Sequence, residues 1–314
     1  MKRFFKYPII FIFLNILSSN AQVINNQSGY YRFQVGAFEV TALSDGTVPV
    51  DAHQLLHPED PARIDKLLAE AFIESPAETS INAYLIKSGS RLILVDTGAG
   101  ELFGADHGGA LTSSLKAAGY LPEQITDILL THIHVDHSGG LTVKNKQVFP
   151  NATIHVNKKE LDFWSGQEKT TATPGATVNK PAFAVLKPYI NQEKVRTFSG
   201  NVELFPGVST LEYFGHTPGH TVYVLESGKD KLLFWGDLIH IAAVQLSGPE
   251  ISNDYDTDKQ KAAIQRQKAY ADAAKSGYLI AADHISFPGI GRIKAKGNVF
   301  EFVAVPYSVL GRNK

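Results

Sequence analysis

A chain of 314 residues with 44% apolar and 19% charged residues has the composition of a globular protein with a sizeable core, which excludes a disordered or fibrous chain. Thirty basic residues against 31 acidic ones leave no positive excess, so a broad nucleic-acid surface is excluded as well. Cysteine is absent, which excludes disulfides and thiolate ligands, so any metal must be held by nitrogen and oxygen.

The first 21 residues read as a secretory leader. "MKRFFK" is basic, "YPIIFIFLNIL" is apolar, and Ser19 and Ala21 fit a small-x-small cleavage site before Gln22. The apolar run is short for a membrane span and no stop-transfer pattern follows, so no stable membrane anchor is expected. The mature protein is expected to be periplasmic or secreted. Loss of Lys2, Arg3 and Lys6 would leave 27 basic and 31 acidic residues, a net charge of −4. Residues 22–314 are expected to form a single domain.

"RFQVGAFEVTALSDG" predicts two short strands with a turn, because Phe33, Val35, Phe38 and Val40 alternate with polar residues. "HPEDPARIDKLLAEAF" has helical spacing. "INAYLIKSGSRLILVDTGAG" predicts a hairpin followed by a glycine-rich loop. "GGALTSSLKAAGY" predicts a helix with Leu111, Leu115 and Ala118 on one face. "ITDILLTH" and "ATIHVN" predict buried strands, and "KKELDFW" starts a helix. Residues 165–200 have poor strand character; "PAFAVLKPYI" within them predicts a helix that Pro188 ends or kinks, and the section is expected to cover the site as an insertion. Strands return in "VELFPG", "STLEYFG", "TVYVLES" and "KLLFWGD". A long helix, "DKQKAAIQRQKAYADAAKSG", precedes a last strand, "YLIAADH". Alternating strands and helices predict an α/β fold of two sheets backed by helices, in two similar halves.

"THIHVDHSGG", residues 131–140, spends three of the chain's 11 histidines in six positions. His132 and His134 point the same way on an extended segment, and Asp136 and His137 follow as the chain turns. Several imidazoles and a carboxylate in one loop make sense if a cation sits between them. Further candidates recur at predicted strand ends: His216 and His220 in "FGHTPGHT", Asp237 in "LLFWGD", and His284 in "LIAADH". Donors of this type suit Zn²⁺, with Mn²⁺, Fe²⁺ or Co²⁺ as alternatives.

The pattern His-x-His-x-Asp-His, then Gly-His-Thr-Pro-Gly-His, then Gly-Asp, then a late histidine resembles the metallo-β-lactamase superfamily. "DTGAG" at 96–100 is a further element, and "SLKAAGY", "FPNA", "DFW", "GDLI", "AAVQ", "ADAAK" and "HISFPGIG" resemble the methyl parathion hydrolase branch. The resemblance covers nearly all of the mature chain. It implies an αββα sandwich of two mixed sheets with two divalent metal ions at the sheet edges. By resemblance, His132, His134 and His216 hold one ion, Asp136, His137 and His284 hold the other, and Asp237 bridges them. A hydroxide shared by the ions would be the nucleophile, with Asp136 also able to take a proton. Asp96 and His220 are expected to orient ligands without ligating. The β-lactamases of this superfamily usually have cysteine or serine in place of Asp237, and the diiron branch has glutamate in place of His134, so neither activity is expected. Neither the basic surface of the ribonuclease branch nor the glutathione-binding tail of the thioester hydrolases is visible.

Phe103, Trp164 and Phe183 are the candidate walls of a substrate pocket. No arginine cluster accompanies the metal motifs, so a small neutral lactone, ester or phosphotriester is the expected substrate. Three residues after the bridging aspartate, the parathion hydrolase branch carries an aliphatic residue and the quorum-quenching lactonases a tyrosine. Here the residue is His240, a candidate catalytic hydrogen-bond donor, which favours an N-acyl-homoserine lactonase over an organophosphate phosphotriesterase or arylesterase. A homodimer is expected by resemblance alone. The alternative of a different class is a metal-binding protein without catalysis, against which the complete ligand set argues.

Overall fold

The computed structural model describes residues 27–104, 106–167 and 176–308; the leader expected over residues 1–21 lies outside them. The alternating run predicted near the start forms β1 (Tyr30–Val35) and β2 (Phe38–Val50), paired antiparallel with Phe33 opposite Val40. β2 is longer than the short strand predicted. Its second half has partners of its own, from Thr47 opposite Ser80 to Val50 opposite Ala77 on β3 (Ala77–Ser88). β4 (Arg91–Val95), β5 (Asp127–Leu129), β6 (Thr153–Asn157) and β7 (Val195–Phe198) complete a seven-stranded sheet whose strands lie side by side in chain order. The last four are parallel.

The second half repeats this plan. β8 (Glu203–Phe205), β9 (Val208–Glu212), β10 (Thr221–Ser227), β11 (Asp230–Phe234), β12 (Leu279–Ala281), β13 (Ile290–Lys296) and β14 (Val299–Ala304) again lie in chain order. Only β11 and β12 are parallel, joined by a crossover that contains the long helix Lys259–Ser276. The closing hairpin β13–β14 was not among the predicted elements. "IGRIKAK" keeps only its first residues and Ile293 buried, so its alternation is weak in sequence.

Phe33, Val40, Tyr84, Ile93, Leu129, Tyr223, Leu232 and Phe234 fill the space between the sheets. Leu111 and Leu115 of the helix Leu111–Ala117 cover the outer face of the first sheet, as predicted, together with Trp164, Leu186 and Tyr189. Ala269, Tyr270 and Ala273 of Lys259–Ser276 cover the second. The result is the expected αββα sandwich, since each sheet must bury both faces. Pro188 neither ends nor kinks a helix. It lies in the first turn of Lys187–Ile190, where its missing N–H is no loss, while Ala176–Ala184 forms separately before it.

Asp45, buried on β2, fastens the first sheet to the loops above it. Its carboxylate accepts the backbone N–H groups of Ala99 at 2.8 Å, Gly109 at 2.9 Å and Leu111 at 2.8 Å. Burial pushes this carboxyl up to about 6, against the pull of those donors. Asp45→Ala leaves three buried N–H groups without a partner and is expected to cost about 3 kcal/mol in urea unfolding. A loss under about 1 kcal/mol would mean that water replaces the carboxylate.

Candidate metal centre

The histidines and aspartates singled out in the sequence sit beyond the C-terminal ends of strands on one rim of the sandwich. β5 leads into His132 and His134, and the short helix Val135–Ser138 presents Asp136 and His137. β9 leads to His216, β11 to Asp237 and β12 to His284. The two halves are tied together at this rim: Thr221 N–H donates to Thr131 O at 2.9 Å, and Tyr223 O–H to Leu130 O at 2.7 Å. Gly236 admits the close approach. It has φ of +52°, and a Cβ there would lie 2.8 Å from His220 Nε2 and 2.9 Å from Thr131 Cβ.

Asp237 is the centre of the cluster. Its Oδ2 lies 3.1 Å from His216 Nε2 and 3.5 Å from His132 Nε2. Its Oδ1 lies 3.0 Å from both His137 Nε2 and His284 Nε2. One carboxylate oxygen thus serves each group of histidines. His134 Nδ1 closes the first group at 3.1 Å from His216 Nε2. Asp136 closes the second, 3.7 Å from His137 Nε2 and 3.5 Å from His284 Nε2. The donor atoms of His132, His134, His216 and Asp237 all lie within 4.8 Å of one another, as do those of Asp136, His137 and His284.

The chemistry of this donor set fits divalent cations. Burial holds His132 and His134 well below the usual imidazole range. Burial also opposes charge on His137, His216 and His284, but Asp237 and neighbouring carboxylates outweigh it. His137 rises well above the usual range, and His216 and His284 are pushed up to about 9. Burial opposes ionisation of Asp237 too, yet the surrounding imidazoles hold its carboxyl well below the usual range. Without a cation, protons must balance this carboxylate; a metal ion would replace them. His137 Nε2 and Asp237 Oδ1 are buried without a hydrogen bond, as atoms facing a cation would be.

Behind the cluster, four of its imidazoles meet a partner: His132, His137, His216 and His284. Asp96 Oδ2 lies 2.9 Å from His137 Nδ1, and Asp96 also accepts Thr131 N–H at 2.8 Å and Thr131 O–H at 2.6 Å. It does so from a left-handed backbone, φ +57°, which aspartate tolerates better than most residues. His220 spends both ring nitrogens on backbone groups, Asp237 N–H at 3.1 Å and Tyr213 O at 3.2 Å, and burial pulls it down to about 3. Both residues therefore contact the cluster from behind, Asp96 at His137 and His220 at the Asp237 backbone.

Three supports were not read from the sequence. Glu160 is fully buried. It accepts Ile133 N–H at 2.8 Å, Trp164 Nε1–H at 2.6 Å, Thr217 O–H at 2.6 Å and Gly219 N–H at 2.9 Å, so one side chain holds both histidine-bearing loops. Asp256 holds His216 Nδ1 at 3.0 Å. Arg266, buried on the long helix, backs Asp256 at 3.3 Å and donates to the carbonyls of Leu238, Pro249 and Ile251. An acid inside the helical "KKELDFW" was the one available signal for Glu160. Asp256 and Arg266 lie in segments that look like ordinary solvated surface.

A cleft of about 520 Å³ opens onto the cluster, lined at its polar end by His134, Asp136, Asp237, His240 and His284. Val48, Pro49, Val50, Leu55, Phe103 and Val135 form apolar walls, and Asp254 and Tyr255 line it as well. Of the three aromatic residues singled out in the sequence, Phe103 lines this cleft. Trp164 and Phe183 do not. They are 2% and 6% exposed in the core, and the Trp164 ring packs edge-on behind His134 at 5.5 Å. The covering role expected for residues 165–200 also fails for their described part. Ala182, Phe183, Leu186 and Tyr189 pack into the core behind the Val135–Ser138 helix, and Ala182 O accepts Ser138 O–H at 3.2 Å. Residues 168–175 lie outside the described residues. The long end of β2 and the segment after it make the wall instead. His53, His57 and His155 lie outside the cluster and pair with Asp65, Asp254 and Asp127.

His240 points inward. Its Nε2 is 3.1 Å from Asp237 Oδ2, its ring stacks on His284 at 5.3 Å, and Tyr255 covers it at 5.7 Å. Asp237→Ala should reduce bound metal, measured by elemental analysis, far more than His220→Ala does, because only Asp237 faces both groups of imidazoles. The reverse order would overturn the assignment of the two histidines of "GHTPGHT".

Comparison with known proteins agrees with this geometry. The family model described as the metallo-beta-lactamase superfamily matches residues 77–274. The crystal structure of the hydrolase AbOPH, in the beta lactamase superfamily, is 34% identical, covers 90% of this chain and 99% of its own, and superposes with a TM-score of 0.85. AidC, a dizinc quorum-quenching lactonase in complex with a product N-hexanoyl-L-homoserine, is 31% identical over the same shares, with a TM-score of 0.82. An N-acyl homoserine lactonase of Bacillus sp is 29% identical over 119 residues, which are 38% of this chain and 40% of that relative. The chain thus spans well under half the length of the curated relatives it matches. With the family profile, the sandwich and the histidine–aspartate cluster in agreement, the chain belongs to the metallo-beta-lactamase superfamily and is a metal-dependent hydrolase.

Proposed function

We propose that the protein is a dinuclear lactonase acting on N-acyl-homoserine lactones, with zinc as its metal. The observation that carries this reading is the cleft: its walls are largely apolar, and no lysine or arginine is among the described residues lining it. A neutral head group with an acyl tail matches that lining better than an anionic substrate does. The 31% identity to AidC across nearly its whole length supports the same substrate class.

In this reading His132, His134 and His216 would hold one ion and Asp136, His137 and His284 the other, with Asp237 facing both groups. Bound ions supply an acidified water as nucleophile and an electrophile for the carbonyl oxygen. The protein's own groups do the rest. Val48, Val50 and Phe103 bury the acyl chain and exclude water, which strengthens every charge interaction in the cleft. Asp136, a cleft-lining carboxylate, is placed to take a proton as the ester bond breaks. His240 donates a hydrogen bond to the lactone as negative charge develops on its oxygen. Hydrolysis of a phosphotriester or aryl ester is the second reading, favoured by the same largely apolar cleft, without lysine or arginine among its described lining, and by the likeness to AbOPH.

Export is part of the proposal, carried by the leader pattern at residues 1–21. Amino-terminal sequencing of the protein from the producing cell should begin at Gln22; a retained Met1 would exclude cleavage there.

Turnover of N-acyl-homoserine lactones, an aryl ester and methyl paraoxon should all be lost on chelation and return with zinc. Full activity in verified metal-free protein would exclude the mechanism. His240→Leu, at unchanged metal content, should lower lactone kcat roughly 10²–10³-fold, the usual loss for one transition-state donor, while sparing the phosphotriester with its better leaving group. Equal losses on both would point to damage of the metal centre, and no loss on lactones would remove the donor role.

A further inference from the structure

The histidines at this site differ in what stands behind their rings. Behind His137, His216 and His284, Nδ1 meets an acceptor: Asp96 Oδ2 at 2.9 Å, Asp256 Oδ1 at 3.0 Å and the Ser80 carbonyl at 2.9 Å. Behind His132 it meets Thr131 Oγ1 at 3.1 Å, whose own proton is committed to Asp96 at 2.6 Å, so this oxygen also accepts. An acceptor at Nδ1 places the proton there and leaves the Nε2 lone pair free for a cation.

His240 is built the other way. Its Nδ1 meets the side-chain amide nitrogen of Asn253 at 3.4 Å. The orientation of that amide is fixed by its other end: Asn253 Oδ1 accepts Tyr255 N–H at 2.9 Å and Asp256 N–H at 3.0 Å. A flipped amide would press an NH₂ group against two backbone donors. Asn253 is fully buried. A donor behind Nδ1 requires a lone pair on Nδ1 and therefore the proton on Nε2. The other side of the ring is compatible with this: Nε2 lies 3.1 Å from Asp237 Oδ2 without forming a hydrogen bond to it, so an Nε2–H is next to a carboxylate and still available to the cleft. Asp237, His240 and His284 have the spacing of a possible third ligand group, so the direction of this proton decides what His240 is.

We propose that Asn253 is a positioning residue that fixes His240 in the Nε2–H tautomer, which bars the ring from ligating metal and makes it the hydrogen-bond donor facing the cleft. The tautomer assignment stands on the Asn253 contacts alone; its consequence for turnover rests on the lactonase reading above.

The test is a two-bond proton–nitrogen correlation spectrum of the zinc-loaded protein labelled with ¹⁵N-histidine, with the His240 signals assigned by their loss in His240→Gln. His240 should show a protonated, pyrrole-type Nε2 and a bare Nδ1, opposite to His132, His137, His216 and His284. In Asn253→Asp the donor becomes an acceptor, and His240 should gain a proton at Nδ1. A protonated Nδ1 in the native protein, or an unchanged tautomer in folded Asn253→Asp, overturns the proposal; if the variant does not fold, the native spectrum decides alone. Lactone kcat in Asn253→Asp should fall roughly 10²-fold, with a smaller change in KM. If the spectra come out as stated and kcat does not change, Asn253 keeps this role and the donor role of His240 in lactone turnover is what fails.

Discussion

The structure depends on one buried carboxylate. Asp237 is almost wholly out of water, and each of its oxygens faces imidazole nitrogens at 3.0–3.5 Å. An isolated carboxylate at that depth would be costly, because the interior cannot replace the hydration it loses. It is tolerated because positive charge is delivered to both of its oxygens, as protons on the imidazoles or as cations between them. The two sheets, their ends tied by Thr221 and Tyr223, exist in this geometry to bring four strand ends to that one group.

Delivering the charge takes more than placing imidazoles nearby. A ring must present its lone pair, and that is decided on its far side. The acceptors that set it come from distant elements: Asp96 after β4, Ser80 on β3 and Asp256 before the long helix. Glu160 adds the mechanical part, holding Ile133 and Thr217–Gly219 so that the loops carrying His132, His134 and His216 cannot separate. Buried polar networks of this kind are specific because leaving any member unpaired is expensive.

The cleft has a different origin from the cluster. Most of its apolar wall comes from the end of β2 and the residues just after it, held in place by the pairing of Leu56–His57 with Ser252–Asn253. The same ladder brings Asn253 to His240 and Tyr255 over it. Asn253, Tyr255 and most of the wall are thus parts of one small substructure, outside the histidine motifs in the chain.

Much of this was legible in the sequence, and the reason is chemical. Histidine and aspartate at strand ends in a cysteine-free chain pointed to a cation, and the resemblance to the superfamily implied which seven residues would hold it and that Asp96 and His220 would stand outside them. Period-two alternation likewise revealed most strands, though not β13–β14, whose alternation is weak, nor the full length of β2, which depends on its partner β3. Aromatic residues carried no such information. Phe103, Trp164 and Phe183 look alike in sequence, because a ring serves equally as core or as pocket wall, and only packing separated the first from the other two. Glu160, Asp256, Arg266 and Asn253 were invisible for a related reason: a polar residue far along the chain declares its role only when folding buries it against a particular partner. The sequence determined which atoms could bind a cation. The tertiary structure decided whether a donor or an acceptor stands behind a ring, because that group arrives from another part of the chain.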